Sequence, residues 1–419
     1  MRLLYDSFIV LFGMISRVAG LFNPKARRFA SGRKDLLSKI SMAFAGNTSP
    51  VIWVHCASLG EFEQARPIIE KCREAYPQHT ILLTFFSPSG YEVQKEFNKV
   101  DFVFYLPLDT VTNARRFIQA TRPVLAIFVK YEFWYHFVTE LGRRQTPVLS
   151  VSAIFRKEQL FFKWYGNFYR TILRSFDHFF VQNEESVRLL QSINITRCTK
   201  AGDTRFDRVF QIVSQAEEIP LARNFKGRDQ VLVIGSAWPD DMKVLTPFIN
   251  NKAGSGALKF IIAPHEISES FVSTIIDSLE VTSIRYSAIR DANVPNDARV
   301  LIIDNIGMLS RLYRYGEFAF IGGAFGDGLH NILEAACYGV PVFFGNRNYR
   351  KFGEATELID RGGAFAVADY PDLLAQYDAI CSPDNYRRAR QVTREYVEEN
   401  LGATETIMNY CATILKQTE

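Results

Sequence analysis

Gly322, Gly323, Gly326 and Gly328 come directly after the apolar run Phe318–Ile321 and just before Asn331-Ile332-Leu333-Glu334. Glycine lets backbone approach an anion, and a helix start offers unpaired N–H groups at the positive end of its dipole. A carboxylate such as Glu334 can take two hydrogen bonds from vicinal hydroxyls. The spacing therefore predicts a strand, a phosphate-and-ribose cradle built on Gly322 and Gly323, a helix beginning near Asn331, and a second buried strand over Val340–Phe344. The plainer alternative is a strand-turn-helix that uses glycine only for tight packing.

Other strand ends carry further candidates. The run His55-Cys56-Ala57-Ser58-Leu59-Gly60-Glu61 places a carboxylate beside a glycine turn, where Glu61 can take a proton from a sugar hydroxyl. Alternatively Glu61 or Glu63 complements a helix dipole. Ser87, Ser89 and Lys130 follow two more strands and suit a phosphorylated acceptor, with Trp134 as a stacking platform or a core residue. In the second half, Ser236 can donate to a phosphate. Asp240 and Asp241 form a metal pair or cap a helix, and Pro239 before them favours capping. His265, after Pro264, faces a nucleotide or bonds locally, and Ile306-Gly307-Met308 can pass backbone beside a base.

These loops need elements to position them. At 419 residues and 47% hydrophobic, the chain suits two domains of roughly 200 residues each. Strand-length runs at Val51–Cys56, Ile81–Phe86, Phe102–Leu106, Val124–Val129, Val148–Val151 and His178–Val181 alternate with helical patterns. A second set follows at Val231–Ser236, Lys259–Ala263, Val300–Ile303, Phe318–Ile321 and Val340–Phe344. This is repeated β-α, hence two parallel α/β sheets of Rossmann type. Ligands collect at the carboxyl ends of such strands, so two facing sheets would place donor and acceptor across one cleft. A linker is expected within 211–229. Neither sheet has Gly-x-Gly-x-x-Gly after its first strand, which argues against a dehydrogenase. The 49 Lys and Arg against 45 Asp and Glu give +4, too little to indicate nucleic acid. Six scattered cysteines form no Cys-x-x-Cys pair, so neither zinc nor a disulfide framework is implied, and a reducing cytosol is the simplest home.

Residues 3–22 are mostly apolar, interrupted by Asp6 and Arg17, and Lys25, Arg27, Arg28, Arg33 and Lys34 follow. This predicts a membrane anchor, spanning or lying in the interface, with the basic cluster on anionic head groups of the cytoplasmic side. Aromatics interleaved with cations over 155–170 suit the same surface.

Together, Ser58-Leu59-Gly60-Glu61, Glu132-Phe133-Trp134, Gly202-Asp203-Thr204-Arg205-Phe206-Asp207, Gly235-Ser236, Pro264-His265, Gly322-Gly323 and Asn331-Ile332-Leu333-Glu334 resemble the 3-deoxy-D-manno-octulosonic acid (Kdo) transferase family. The chain departs from the family pattern at Met308, His265 and Lys130-Tyr131-Glu132. The resemblance implies a GT-B fold, two Rossmann-like domains facing a central cleft, with an anchor and basic flank over 1–34. It places an acceptor domain over 35–215 and a CMP-sugar domain over 216–419 whose last helices cross back. It implies an inverting transfer of Kdo from CMP-Kdo to lipid IVA in lipopolysaccharide assembly at the cytoplasmic face of the inner membrane. Glu61 would be the base. Pro264, His265, Ile306, Gly307, Met308, Asn331, Ile332, Leu333 and Glu334 would contact CMP. Ser58, Gly60, Ser87, Ser89, Lys130, Glu132, Ser236, Gly322 and Gly323 would touch phosphate or acceptor. The co-substrate CMP-Kdo, the lipid acceptor and the membrane surface are the partners implied, with no cofactor, metal or nucleic acid. Other readings are a soluble GT-B transferase or epimerase, or a non-catalytic membrane-surface binder; the apolar N-terminus and turnover discriminate them.

Overall fold

Strand-length apolar runs become two seven-stranded sheets in the computed structural model, which describes residues 1–289 and 293–416. The chain divides into one unit of Met1–Arg208 with Leu401–Glu419 and another of Val209–Asn400. The first boundary lies within the helix Thr204–Ser214, and the expected linker is itself helical over Pro220–Lys226.

The first sheet comprises β1 (Val51–Cys56), β2 (Thr80–Phe85), β3 (Phe102–Tyr105), β4 (Pro123–Val129), β5 (Val148–Ala153), β6 (His178–Val181) and β7 (Cys198–Lys200). Their order is β3-β2-β1-β4-β5-β6-β7, every pairing parallel. All residues of β1, β2 and β5 are buried, as expected of a parallel sheet covered on both faces. The second sheet comprises β8 (Val231–Ala237), β9 (Lys259–Pro264), β10 (Ser283–Arg285), β11 (Val300–Ile302), β12 (Phe318–Ile321), β13 (Val342–Gly345) and β14 (Ala364–Val367). It is ordered β10-β11-β9-β8-β12-β13-β14, again all parallel.

Strand order reverses beside β1 in one sheet and beside β8 in the other. Loops leaving β1 and β4, and those leaving β8 and β12, therefore diverge and open a crevice at the carboxyl ends of the strands.

Two polar devices fix these crevices. In the first unit, Asp207 accepts from the backbone N–H groups of Gly402 at 2.7 Å and Thr404 at 2.6 Å. It thereby caps the helix Ala403–Leu415, whose Ile407, Cys411 and Leu415 bury into one core cluster with Ile52, Phe62 and Ile68. That helix packs on Leu59–Ala75, the helix that carries Glu61. From the other side Thr204 Oγ1 donates to the Gln64 carbonyl at 2.6 Å, and Asp203 accepts from Gln64 Nε2 at 2.9 Å and Gln182 Nε2 at 3.0 Å.

In the second unit the buried Asp241 bridges two loops. Its Oδ2 accepts from the backbone N–H of Trp238 after β8 and of Gly323 after β12, both at 2.9 Å. A Cβ at Gly322 would stand 2.6 Å from Asp241 Oδ2 and closer still to the Ser236 carbonyl, so only glycine lets the loops meet. Asp241 Oδ1 has no partner among the described residues, and burial pushes the carboxyl up to about 6.

The N-terminus corrects the spanning form of the anchor. Among the described residues no helix is long and apolar enough to cross a membrane. The helix Arg2–Ala19 instead docks on the first unit: Tyr5 donates to Asp109, Asp6 meets His136, Phe12 packs on Phe29 and Phe86, and Ile9 and Gly13 are buried. Tyr5 and Asp6, the charge included, serve the docked face. The opposite face exposes Leu4, Phe8, Leu11, Ile15 and Val18.

Two outcomes follow from these carboxylates. Asp207→Ala removes both N–H caps and is expected to cost about 1–2 kcal/mol, with amides of Ala403–Leu415 losing protection in hydrogen exchange. Unchanged protection would refute the capping role. Asp241 has its folded-state pKa raised from 3.8 to about 6, so its contribution favours the native state below the unfolded value and is lost as pH rises through 4 to 6. Asp241→Asn lacks that loss. Across this window the variant should therefore gain on the order of 3 kcal/mol of unfolding free energy relative to the parent, then run parallel above it. Denaturant titrations at several pH values read this difference.

Candidate active site

The chain leaves β1 at Cys56 and enters the helix Leu59–Ala75 with Glu61 in its first turn. Ser58, at the N-cap, donates its hydroxyl to Glu61 Oε2 rather than capping the backbone. Glu61 Oε1 carries no hydrogen bond from the described residues and remains open to an incoming donor. The Cβ of any residue at position 60 would stand no nearer than 3.8 Å to Ser58 Oγ, so Gly60 leaves the approach uncluttered. Burial, followed by the negative charges of Glu61 and Glu132, pushes the Cys56 thiol well up, so it is not a ready thiolate.

Across the switch point, Lys130 leaves β4 in a left-handed conformation, φ 67°, which turns the loop toward Glu132. Glu132 Oε2 accepts from Trp134 Nε1 at 2.7 Å and meets His55 Nε2 at 2.9 Å. Behind His55, Trp53 Nε1 donates to Thr84 Oγ1 at 2.8 Å, and Thr84 Oγ1 lies 2.8 Å from His55 Nδ1. His55 Nδ1 also lies 3.1 Å from the Thr84 carbonyl, and Trp134 Nε1 reaches His55 Nε2 at 3.3 Å, so the imidazole is clamped at both nitrogens. Glu132 is thus a held carboxylate rather than a free acceptor contact. Trp134 stands between the two roles expected of it: its ring packs on Phe86 with centroids 4.7 Å apart, while its N–H fixes Glu132. Lys130 has no carboxylate partner among the described residues, and its ammonium lies 5.8 Å from the Tyr131 ring.

The loop after β2 lies beside that of β1, with Ser87 N donating to the Ala57 carbonyl at 2.7 Å. Ser87 caps the helix Pro88–Gln94, accepting from Ser89 N at 3.3 Å, and the two hydroxyls are 3.0 Å apart. Structure therefore gathers Ser58, Gly60, Glu61, Ser87, Ser89, Lys130 and Glu132 on neighbouring strand ends.

In the second unit, β8, β9 and β12 bring together Ser236, Pro264, His265, Gly322 and Gly323. Ser236 is left-handed, φ 52°, and His265 N donates to the Ala237 carbonyl at 2.9 Å. Sequence reasoning missed the rest of this cluster. The Trp238 ring stacks on His265 with centroids 4.2 Å apart and planes 19° apart, and His330 lies 4.5 Å beyond His265. Trp238 Nε1 donates to His330 Nε2 at 2.9 Å, which leaves the His330 hydrogen on Nδ1; burial, then the nearby His265, lowers the His330 pKa. The available signal was an aromatic residue directly past β8, at Trp238, and a histidine in the loop after β12, at His330. The arrangement offers a flat face for a heterocycle and imidazoles for an anion.

Two expectations change. Gly322 is pressed against Ser236 and Asp241 and does not make a bare cradle. The helix expected from Asn331 is a single turn, Leu333–Ala336, because Tyr338-Gly339 ends it at once, and so short a helix has little macrodipole. Asn331 still orders the turn, its Oδ1 accepting from Leu333 N at 3.1 Å and its Nδ2 donating to Glu334 at 3.2 Å. Ile332 and Leu333 are buried, and Glu334 is partly exposed. After β11, Ile306 is 91% exposed, Gly307 has φ 89° with open space around it, and Met308 is buried. Asp240 pairs with Lys243 at 2.7 Å while Asp241 caps, so the two acids do not act together; among the described residues no three His, Cys, Asp or Glu side chains form a metal cluster.

Known proteins share the fold and parts of the sequence. Solved structures share the fold: UDP-GlcNAc 2-epimerase from Neisseria meningitidis bound to UDP-GlcNAc, with TM-score 0.60 and 14% identity over 87% of this chain and 100% of that one, and Acinetobacter baumannii MurG, with TM-score 0.55 and 12% identity over 86% and 98%. The architecture is GT-B, built from two Rossmann-like units. In sequence, the 3-deoxy-D-manno-octulosonic acid transferase of Rickettsia felis is 28% identical over 84% of this chain and 76% of its own length. That of Aquifex aeolicus is 27% identical over 83% and 91%. Residues 27–208 match the family described as 3-Deoxy-D-manno-octulosonic-acid transferase (kdotransferase). Residues 27–208 thus carry the domain of that family, and over most of its length the chain is similar to Kdo transferases at 27–28% identity.

Proposed function

We propose that this protein transfers Kdo from CMP-Kdo to lipid IVA in lipopolysaccharide biosynthesis, with inversion at the transferred carbon. The carrying observation is Glu61: a carboxylate at the switch point, one oxygen held by Ser58 and the other open. In this reading Glu61 Oε1 takes the proton of a glucosamine hydroxyl while that oxygen bonds to the ketosidic carbon. The bond from that carbon to the cytidylate phosphate oxygen breaks, and CMP leaves with the electron pair. Each step uses one proton transfer and one displacement, with no covalent enzyme intermediate.

The donor contacts proposed are Pro264 and His265, Ile306 to Met308 and Asn331 to Glu334, with the Ser236 hydroxyl on the phosphate. Trp238 and His330 join them, because they fix the plane of His265. Charge growing on the phosphate is met by imidazole and hydroxyl hydrogens rather than by a long helix dipole. In this reading Lys130 meets an acceptor phosphate and Glu132 orders the loop around it. CMP-Kdo is a co-substrate in this reading, and no separate cofactor is invoked.

The membrane role is proposed for the exposed face of Arg2–Ala19. Leu4, Phe8, Leu11, Ile15 and Val18 lie along one side, with Lys25, Arg28 and Lys34 following, an arrangement suited to an interfacial helix on the anionic cytoplasmic leaflet of the inner membrane.

Glu61→Gln keeps the shape and the Ser58 contact but cannot accept the proton. Transfer should fall about 10²–10⁴-fold while CMP-Kdo affinity stays within about twofold, measured by product formation and equilibrium binding. Near-parental turnover in the purified variant would take Glu61 out of this role. Serine at Leu4, Phe8, Leu11 and Ile15 together should abolish sedimentation with anionic vesicles and leave turnover of detergent-dispersed acceptor close to the parent. Continued sedimentation would reject the interfacial helix.

A further inference from the structure

Trp238 and His330 lie almost in one plane, their rings tilted by 15° with centroids 6.2 Å apart, and Trp238 Nε1 is 2.9 Å from His330 Nε2. His265 lies across both, 4.2 Å from the indole and 4.5 Å from the imidazole, and is itself exposed. Three loops are thereby joined through their rings: Trp238 follows β8, His265 follows β9 and His330 comes after β12.

An indole N–H donates and cannot accept. His330 Nε2 must therefore offer its lone pair, and the one ring hydrogen of the neutral imidazole sits on Nδ1. A second proton would have to enter on Nε2, facing the indole hydrogen, so it is shut out while that bond is made. Burial, followed by the nearby His265, acts in the same direction. Packing fixes which edge of the ring is used. A Cβ at Gly323 would stand 2.9 Å from His330 Cδ2 and 3.3 Å from Nε2, so this edge is pressed on the glycine turn and Nδ1 is on the far side of the ring. Among the described residues Nδ1 has no hydrogen-bond partner. The other charged groups about the imidazole are Asp241, bonded to Gly323 N, Asp240 near Gly326 and Lys351 near Gly328.

His330 directly precedes Asn331 and lies at the same strand ends as Ser236, whose hydroxyl the transfer reading sets on the cytidylate phosphate. An imidazole kept in one neutral form offers such an oxyanion a hydrogen whose strength does not swing with pH. We propose that Trp238 is a positioning residue of the donor site: its N–H fixes His330 as the Nδ1–H form, so that the imidazole presents one hydrogen to a phosphate oxygen of the cytidylate and gains no charge as the pH falls. The inference rests on the transfer reading above and adds to it the means by which one donor contact is held in a single protonation state.

Trp238→Phe tests it by keeping an aromatic ring against His265 while removing the N–H. In the variant His330 divides between two neutral forms and takes up a proton at a pH closer to the ordinary histidine value. Equilibrium binding of CMP is measured for both proteins from about pH 8 to about pH 5.5, and the ratio of their dissociation constants is read at each pH, so that titration of His265, Asp241 and the ligand enters both sides. The variant is expected to bind about three- to tenfold more weakly at the alkaline end, with the ratio shrinking toward unity at the acid end, where a cationic His330 again donates from Nδ1 and attracts the phosphate. A ratio that stays constant assigns Trp238 to packing alone and overturns the proposal. Long-range proton–nitrogen NMR spectra of the parent with isotopically labelled histidine supply a second reading that needs no variant. They should show the His330 hydrogen on Nδ1 throughout this range; a hydrogen on Nε2 overturns the proposal as well. A parent that binds no CMP at any pH removes the donor reading and the phosphate contact with it, whereas CMP binding with a constant ratio removes the positioning role alone.

Discussion

A parallel sheet cannot place all its loops on one side. Crossovers are right-handed, so when the strand order reverses, two adjacent strands must send their outgoing segments to opposite faces. The reversal beside β1 and the one beside β8 are where that happens. Glu61 and Glu132 come from the two strands that part in the first sheet, and Ser236 and Gly322 from the two that part in the second. Neither gap needs a special side chain to exist. What needs side chains is keeping it open at a fixed width.

The two units do so by different means. In the second, a single carboxylate ties the diverging loops, with Asp241 taking the N–H groups of both Trp238 and Gly323. Its other oxygen is buried without a partner among the described residues, a polar cost of holding both loops with Oδ2. In the first, the load is spread. Glu132 is held by Trp134 and His55, His55 by Thr84, and Thr84 by Trp53 in the middle of β1. Linked hydrogen bonds along that chain orient the loop after β4.

Much of this was legible in the residues. Buried parallel strands are near-continuous apolar runs, and all the strands read that way are present with ends moved by no more than two residues. The three that were not read, β7, β10 and β14, are sheet edges of three or four residues, partly exposed, where burial no longer demands an apolar run. Glu61 was legible because a carboxylate five residues beyond the end of β1 falls in the first turn of the next helix. The roles of Trp238 and His330 were not, because their contact joins positions 92 residues apart and no local spacing encodes it. Asp207 is the same kind of case: its partners at 402 and 404 are set by how the last helix returns to the first unit. The turn at Leu333–Ala336 misled in the other direction, since glycines followed by a polar pair announce a helix start but not its length.

These differences give the two units unequal degrees of preorganisation. Glu61 sits on a helix of 17 residues held by a buried core on one side and by the Thr204 and Asp203 bonds on the other, so little conformational freedom remains to be lost when an acceptor arrives. The donor contacts proposed at Ile306 and Gly307 have the opposite character: an apolar side chain in solvent and a glycine at positive φ with nothing within 4 Å of the place a Cβ would occupy. Ordering each such residue costs about 1–2 kcal/mol of backbone entropy. In the proposed reading, donor affinity would come from the parts already fixed, the Trp238–His265–His330 stack and the loop pinned by Asp241, rather than from the segment at 306–308.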